Sequence, residues 1–311
     1  ARDLLRMNGI PLVETAGGGA APTSAASPAG TVSAPTAIES PVSRTGHIPM
    51  LQLALDYISV PPAVAMAVQV QDFVDIIEIG TPLIKVAGVE GVKAIREVCP
   101  DKIVLADFKT PDVGGLEAQL AFDAGADIVS IIGGATIPTV KEALKVAKAR
   151  PGKEIIMECT GVRDILGMAR EWKEIGVTRL VYHREWDAQA AGREWEDEDR
   201  RIIREIIEMG YKVTVTGGLT PELIPFFAGM DIAVFICGRG IHQDKNPREA
   251  AKQMRDTIWS IWGRPDRGSN VTTSQSSSTA QPKRTETSER GGGSFSDSFV
   301  DRAVDALKKR K

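Results

Sequence analysis

The fold is decided by two stretches, Val74-Asp75-Ile76-Ile77-Glu78-Ile79-Gly80 and Ile103-Val104-Leu105-Ala106-Asp107-Phe108-Lys109. Both are short runs rich in Val and Ile, and neither shows strict polar alternation. Such runs are typical of parallel strands that are covered on both faces. A segment with helical periodicity lies between them, at residues 89–98. The pair therefore predicts a strand, a helix and a second strand in a parallel sheet.

The same alternation continues in both directions along the chain. We predict strands at residues 51–55, 74–79, 103–108, 128–132, 154–159, 179–183, 212–216 and 232–237. We predict helices at residues 89–98, 116–124, 138–149, 165–175, 197–209, 221–227 and 247–262. Eight strands with intervening helices predict a (β/α)8 TIM barrel over residues 48–262. A doubly wound open sheet is the alternative, since periodicity alone does not prove closure.

The two ends of the chain differ in composition from the barrel region. Residues 1–47 are rich in Ala, Ser, Pro and Gly, and we interpret them as a flexible extension with a short N-terminal helix. Residues 263–293 have the character of a disordered linker. Residues 294–311 place several apolar side chains on one helical face and predict an amphipathic docking helix for a shell or scaffold protein. A transit peptide for residues 1–47 and an engineered fusion linker at 291–294 are alternatives.

Composition excludes several classes of function. The 311 residues carry 38 Lys and Arg against 41 Asp and Glu, a net charge of −3, so we expect no nucleic acid partner. No apolar run is long enough to span a membrane. The cysteines Cys99, Cys159 and Cys237 lie in or beside apolar runs, which predicts buried, reduced thiols and a cytoplasmic location.

Polar side chains end most of the predicted strands. In a barrel of this kind chemistry gathers at the carboxyl ends of the strands. Glu78 and Asp107 offer oxygen ligands from neighbouring strands, which favours Mg²⁺, and Lys109 adds an ammonium group. A surface ion-pair network is the alternative interpretation. His183 ends another strand and suits proton transfer, whereas His47 and His242 are predicted to be surface residues.

The last two predicted strands end in glycine turns. These turns are Thr216-Gly217-Gly218 and Cys237-Gly238-Arg239-Gly240. Exposed backbone N–H groups together with the Arg239 guanidinium predict a phosphate site, where TIM barrels commonly carry one. The sequence therefore predicts a phosphorylated substrate.

Three motifs of the barrel region resemble the orotidine monophosphate decarboxylase suprafamily. They are Leu53-Ala54-Leu55-Asp56, residues 74–80 and Ala106-Asp107-Phe108-Lys109-Thr110-Pro111-Asp112. Within that suprafamily, residues 181–184, 187–192 and 212–219 are similar to the group of 3-keto-L-gulonate-6-phosphate decarboxylases and 3-hexulose-6-phosphate synthases. The resemblance covers about residues 48–262 and neither end of the chain.

The resemblance implies an Mg²⁺-dependent carbon–carbon lyase that acts on a phosphorylated ketose as a homodimer. The implied reaction is decarboxylation of 3-keto-L-gulonate 6-phosphate to L-xylulose 5-phosphate and CO2 through an enediolate. The implied site residues are Glu78 and Asp107 for the metal; Asp56, Lys109, Asp112, Glu158 and His183 for catalysis; and Thr216, Gly218, Gly238 and Arg239 for substrate and phosphate. Asp112 is expected to reach the site of the neighbouring subunit.

The synthase of the same group, which adds formaldehyde to ribulose 5-phosphate, is the alternative. In that branch Glu158 is usually replaced by Asp, Thr216 by Ala, and Arg239 by another residue, so these three positions favour the decarboxylase. Trp186 departs from the pattern, because the decarboxylase normally has arginine there. A hypothesis of another class makes the barrel cargo or a scaffold that its terminal peptides dock to a larger assembly, such as a bacterial microcompartment.

Overall fold

The computed structural model describes residues 47–265 of the chain. Eight parallel strands pair in sequence order, and the first pairs with the last, so the sheet closes into a barrel. Closure confirms the predicted (β/α)8 fold, and the open-sheet alternative is wrong. The flexible extension, the linker and the docking helix predicted at the two ends lie outside the described residues, apart from residues 47 and 263–265 at their edges.

Each predicted strand is present, with ends within two residues of the predicted ones. The strands are β1 Met50–Leu55, β2 Ile76–Ile79, β3 Ile103–Thr110, β4 Ile128–Ile132, β5 Glu154–Glu158, β6 Arg179–His183, β7 Lys212–Thr216 and β8 Ile232–Cys237. Their side chains pack on both faces. Ile76, Leu105 and Ile128 belong to a cluster inside the barrel, whereas Ile77 and Val104 face the larger core beneath the helices. Two buried faces explain why polar alternation is absent from the sequence.

The helices cover the outside of the barrel. They are α1 Val60–Val70, α2 Thr81–Ala87, α3 Val89–Val98, α4 Gly114–Asp123, α5 Ile137–Lys148, α6 Ile165–Glu174, α7 Trp186–Ala190, α8 Asp197–Glu208, α9 Arg239–His242 and α10 Pro247–Trp262. Several begin with side-chain caps: Thr136 accepts from the Thr139 N–H, and Asn246 accepts from the Glu249 N–H. The cap predicted ahead of Pro247 is thus present.

One predicted helix is wrong. Residues 221–227 form only a turn followed by a 3-10 segment, Ile224–Phe227. Pro225 sits at the start of that segment and has no N–H to donate, which disfavours a longer α-helix there.

The cysteine prediction is confirmed, because Cys99, Cys159 and Cys237 are all buried and free. Within the described range, 47–265, no helix combines the length and the apolar character that a membrane span requires.

Candidate active site

The carboxyl ends of the strands surround one cavity of about 680 Å³. It brings together every predicted site residue except Asp112: Asp56, Glu78, Asp107, Lys109, Glu158, His183, Thr216, Gly218, Gly238 and Arg239. These residues come from seven strand ends and are far apart in the sequence. The barrel therefore assembles one continuous polar site from them.

An irregularity in β3 aims Lys109 into the cavity. The pairing of β3 with β4 shifts register between Ala106 and Thr110. Within the shift, Lys109 adopts a φ of 46°, a left-handed conformation that is uncommon for a residue other than glycine. Its backbone N–H donates to Ser130 Oγ at 2.9 Å, which holds this conformation in place. Such strain is typical of functional positions.

Lys109 connects two carboxylates. Its Nζ donates to Asp107 Oδ2 at 2.6 Å and lies 3.4 Å from Glu158 Oε2. Burial by itself would lower the pKa of Lys109, but the charges of Asp107, Glu158 and Glu78 outweigh burial and raise it. Lys109 is therefore a fixed ammonium ion, able to stabilise negative charge on a substrate oxygen.

Glu158 also orients His183. Glu158 Oε1 lies 3.3 Å from His183 Nδ1 and accepts from Thr160 Oγ1 at 2.9 Å. Burial opposes ionisation of Glu158, yet the hydrogen bond from His183 and the charge of Lys109 lower its pKa to about 2. A buried carboxylate that is charged at all working pH values holds the imidazole in a defined orientation.

The opposite wall of the cavity is negative. Glu78 accepts from Gln52 Nε2 at 2.6 Å, and Asp107 Oδ1 accepts from Ser130 Oγ at 2.7 Å. Burial and the neighbouring Asp107 charge raise the pKa of Glu78 well above its ordinary value. Asp56 reaches the same wall, where loss of hydration and the Asp107 charge raise its pKa too.

These oxygen ligands fit a hard divalent cation. Glu78 and Asp107 supply carboxylates from adjacent strands, and a cation would relieve the repulsion that raises the Glu78 pKa. Among residues 47–265, no group of three or more His, Cys, Asp or Glu side chains is arranged to hold a metal. The protein therefore offers two carboxylates, and the remaining ligands would come from substrate oxygens and water.

The phosphate end of the cavity is built from two glycine turns. Gly217 and Gly218 have φ values of 121° and 64°, which only glycine adopts readily. Arg239 follows β8 at the start of α9 and is half-buried. Burial lowers its pKa, and the attraction of Asp56 partly opposes that effect. The guanidinium and the turn N–H groups of this end suit a phosphate.

A substitution at Gly218 tests this end of the cavity. In Gly218→Ala the new Cβ would lie 2.3 Å from Gln189 Oε1, and the backbone would be strained at a φ of 64°. We expect KM for a phosphorylated substrate to rise about ten-fold or more, with a smaller change in kcat. Gly152→Ala is the matched control, because Gly152 also has a positive φ but has open space around it. Equal KM changes in the two variants would contradict this role.

Sequence reasoning missed part of the site. His242 is wrongly predicted to be a surface residue. It lines the cavity, its ring lies 5.2 Å from the Tyr57 ring, and burial lowers its pKa. Its position three residues after Arg239, on the same helical turn, is the signal that could have found it. Trp186 and Gln189 also line the cavity, and both lie on α7. His47 is exposed, as predicted.

Asp112 lies apart from the cavity. It is exposed and belongs to a separate groove formed with Val113, Leu116, Thr139 and Glu142. Its carboxylate accepts from the Val113 N–H at 2.7 Å. Asp112 thus cannot contribute to the cavity of its own chain in this arrangement.

Comparison with known proteins assigns the family. The orotidine 5'-phosphate decarboxylase / HUMPS family matches residues 49–254. The chain belongs to this family. It is 44% identical to a 3-keto-L-gulonate-6-phosphate decarboxylase of Escherichia coli O17:K52:H18 over 216 residues, 70% of this chain and 99% of the relative.

Solved structures agree with this assignment. A structure of the same decarboxylase (KGPDC) from Streptococcus mutans, in complex with a ribose 5-phosphate ligand, has a TM-score of 0.68 and 40% identity, covering 70% of this chain and all of that one. A 3-hexulose-6-phosphate synthase from Salmonella typhimurium has a TM-score of 0.64 and 35% identity, covering 68% and 99%. The predicted enzyme class, a carbon–carbon lyase, is confirmed at the level of the family.

Proposed function

We propose that this family member decarboxylates 3-keto-L-gulonate 6-phosphate to L-xylulose 5-phosphate and CO2. The observation that carries the proposal is the Lys109 ammonium, held between Asp107 and Glu158, with His183 hydrogen-bonded to the same Glu158. This arrangement places a positive charge and a proton donor at one point of a cavity whose other end suits phosphate. The decarboxylase relatives, matched over nearly their whole length, also support it.

Each step follows from the side chains in the cavity. Gly218, Gly238 and Arg239 bind the phosphate, and Asp56 accepts a hydrogen bond from a substrate hydroxyl. The C1–C2 bond of the substrate breaks, CO2 leaves, and the electron pair stays behind as a 1,2-enediolate. Lys109 donates a hydrogen bond to the enediolate oxygen as negative charge develops there. His183, or a water molecule that Glu158 and His183 hold, then protonates the enediolate carbon to give the ketose.

Glu78 and Asp107 would hold a divalent cation, for which we propose Mg²⁺. Bound there, the cation would supply electrostatic stabilisation of charge on substrate oxygens. Hard oxygen donors favour Mg²⁺ over softer metals.

The synthase remains the second candidate, because Trp186 is uncharged where the decarboxylase pattern has arginine, and a synthase is among the similar structures. An assay of the full chain with Mg²⁺ separates the two. CO2 release from 3-keto-L-gulonate 6-phosphate would support the decarboxylase. Condensation of ribulose 5-phosphate with formaldehyde alone would support the synthase. Loss of either activity in chelator, and its return with Mg²⁺, would test the metal.

We also propose that the enzyme is a homodimer whose subunits share active sites. Asp112 lies outside its own cavity, beside a patch of exposed apolar side chains, Val113, Leu116 and Leu120, that are 46 to 58% exposed. Apolar side chains exposed together mark a protein interface. A second copy seated there would cover them and bring Asp112 to the neighbouring cavity.

A charge at the centre of this patch is expected to separate the subunits. Leu116→Glu should convert the dimer to a monomer by sedimentation and lower kcat at least ten-fold, because burying a carboxylate in an apolar contact is costly. Arg170→Glu, at an exposed position on α6, is the matched control and should change neither property. An L116E variant that stays dimeric would refute this interface.

We propose a cytoplasmic location. Cys99, Cys159 and Cys237 are buried, free thiols, and burial raises the pKa of each. Thiols without disulfide partners are usual in reducing compartments.

A further inference from the structure

The phosphate-binding arginine is covered by an aromatic ring. Arg239 Cζ lies 2.8 Å from the centroid of the Trp186 ring, so the guanidinium is in direct contact with the ring face. Trp186 is 52% exposed and begins α7, the short helix that follows β6. Arg239 follows β8, two strands further on. The contact therefore joins two loops that the barrel brings to the same end of the cavity.

Arg239 has few other partners. Among residues 47–265 no carboxylate forms an ion pair with it within 4.0 Å, although its field is felt by Asp56. Its only polar side-chain contact in this range is a long one, from Nη2 to Gln189 Oε1 at 3.5 Å. The guanidinium donors are thus largely free, while its orientation is set chiefly by the Trp186 ring.

An aromatic partner has a particular consequence for an arginine. A carboxylate would hold the guanidinium by using the N–H groups of its edge. A ring stacked on the face restrains the plane and leaves the N–H groups of the edge available. Those are the groups that form bidentate hydrogen bonds with a phosphate.

Gln189 completes the support from the same helix. It lies three residues after Trp186, so both side chains project from one side of α7. Its Nε2 donates to the Arg184 backbone oxygen at 2.5 Å, and its Oε1 lies near Gly218 and Arg239. One short helix thus contacts both the glycine turn after β7 and the arginine after β8.

The geometry points to Trp186 as a positioning residue for the substrate phosphate: its ring holds Arg239 with the N–H edge of the guanidinium turned toward the phosphate. The inference rests on the proposed function only in requiring a phosphorylated ligand. It assigns a role to the residue at which this chain departs from the decarboxylase pattern. It also assigns α7 as a specificity element for phosphorylated over unphosphorylated sugars.

Binding measured by calorimetry tests the inference without turnover. D-Ribulose 5-phosphate, without formaldehyde, is the probe, and D-ribulose is its unphosphorylated control. We expect Trp186→Ala and Trp186→Leu to weaken binding of the phosphate ester about ten-fold, while Trp186→Phe stays within about three-fold of the wild type. Leucine keeps apolar bulk without a ring, so the two variants separate bulk from stacking. In the assay, KM should rise about ten-fold with kcat within about two-fold.

Trp259→Ala is the matched control. Trp259 on α10 also contacts arginines, with Arg255 and Arg264 Cζ 5.3 and 5.4 Å from its ring, but it does not line the cavity. Its loss should leave binding of the phosphate ester unchanged. Loss of Trp186 should also have little further effect in an Arg239→Ala background, because the two residues act through one contact.

The outcomes distinguish this inference from the proposed function. Unchanged binding in W186A, or equal binding in W186L and W186F, would overturn the role of the stack while leaving the reaction intact. The expected pattern without turnover of either substrate would support the role of Trp186 and overturn the proposed reaction. A wild type that binds D-ribulose 5-phosphate no better than D-ribulose would overturn both.

Discussion

Lys109→Ala is expected to lower kcat about 10³-fold while the protein stays folded. The ammonium group lies 2.6 Å from Asp107 and 3.4 Å from Glu158, and the neighbouring carboxylates raise its pKa, so it is charged throughout the working range. A preorganised charge at a developing oxyanion is commonly the largest single contribution to catalysis. Its removal also leaves Glu158 without one of the two partners that lower its pKa.

Steady-state kinetics, with circular dichroism and thermal unfolding to verify the fold, measure this effect. Lys252→Ala is the matched control, since Lys252 on α10 also pairs with a carboxylate, Asp256 at 3.0 Å, but is exposed and remote from the cavity. We further expect added methylamine to restore part of the K109A activity by occupying the vacated space. A folded K109A variant with kcat within ten-fold of the wild type would show that this ammonium does not stabilise the intermediate.

The sequence predicts the barrel well because its strands obey a simple rule. The Val- and Ile-rich runs are buried on both faces, so strand and core signals coincide and the strand ends fall where charges begin. The missing first helix shows where the rule fails. Residues 60–70 are apolar almost all round and carry Pro61 and Pro62, so neither periodicity nor propensity marks a helix. The prolines are tolerated because they lie in its first turn.

The candidate site is predictable only in part, for a different reason. Charged residues at strand ends identify Glu78, Asp107 and Lys109, since strand order alone brings them to one rim of the barrel. The contacts made by loops are not encoded in such spacing. The Trp186 ring meets Arg239 across 53 positions of sequence only because α7 and α9 face each other over the cavity. The left-handed backbone of Lys109 is likewise set by the register of β3 against β4.

Two buried glutamates are expected to affect stability in opposite directions. Glu78 is fully enclosed beside Asp107, and its pKa is raised well above 4.5. Without a cation, the folded state therefore binds this proton more tightly than the unfolded state. The free energy of unfolding then falls as pH rises from about 4.5 toward the raised value. Glu158 has its pKa lowered to about 2, so its contribution is present above about 4.5 and is lost as pH falls through 2.

The variants Glu78→Gln and Glu158→Gln convert this contrast into a measurement. At pH 7.5 in chelator, E78Q should unfold in urea with a free energy at least about 1 kcal/mol above the wild type, because a neutral amide replaces a carboxylate that is costly to ionise. The same variant should lose about 10²- to 10³-fold in kcat and should gain no thermal stability from added Mg²⁺, unlike the wild type. The function of Glu78 and its effect on stability thus oppose each other.

E158Q should behave in the reverse manner at neutral pH. It loses a charge that Lys109 and His183 both stabilise, so its free energy of unfolding should lie below that of the wild type. The difference should narrow as pH falls from about 4.5 toward 2, because protonation then removes the same charge from the wild type. Urea unfolding of both variants and the wild type at a series of pH values separates the two effects. An E78Q protein less stable than the wild type in chelator would mean that Glu78 is satisfied without a cation, and the case for a metal on that wall would fall.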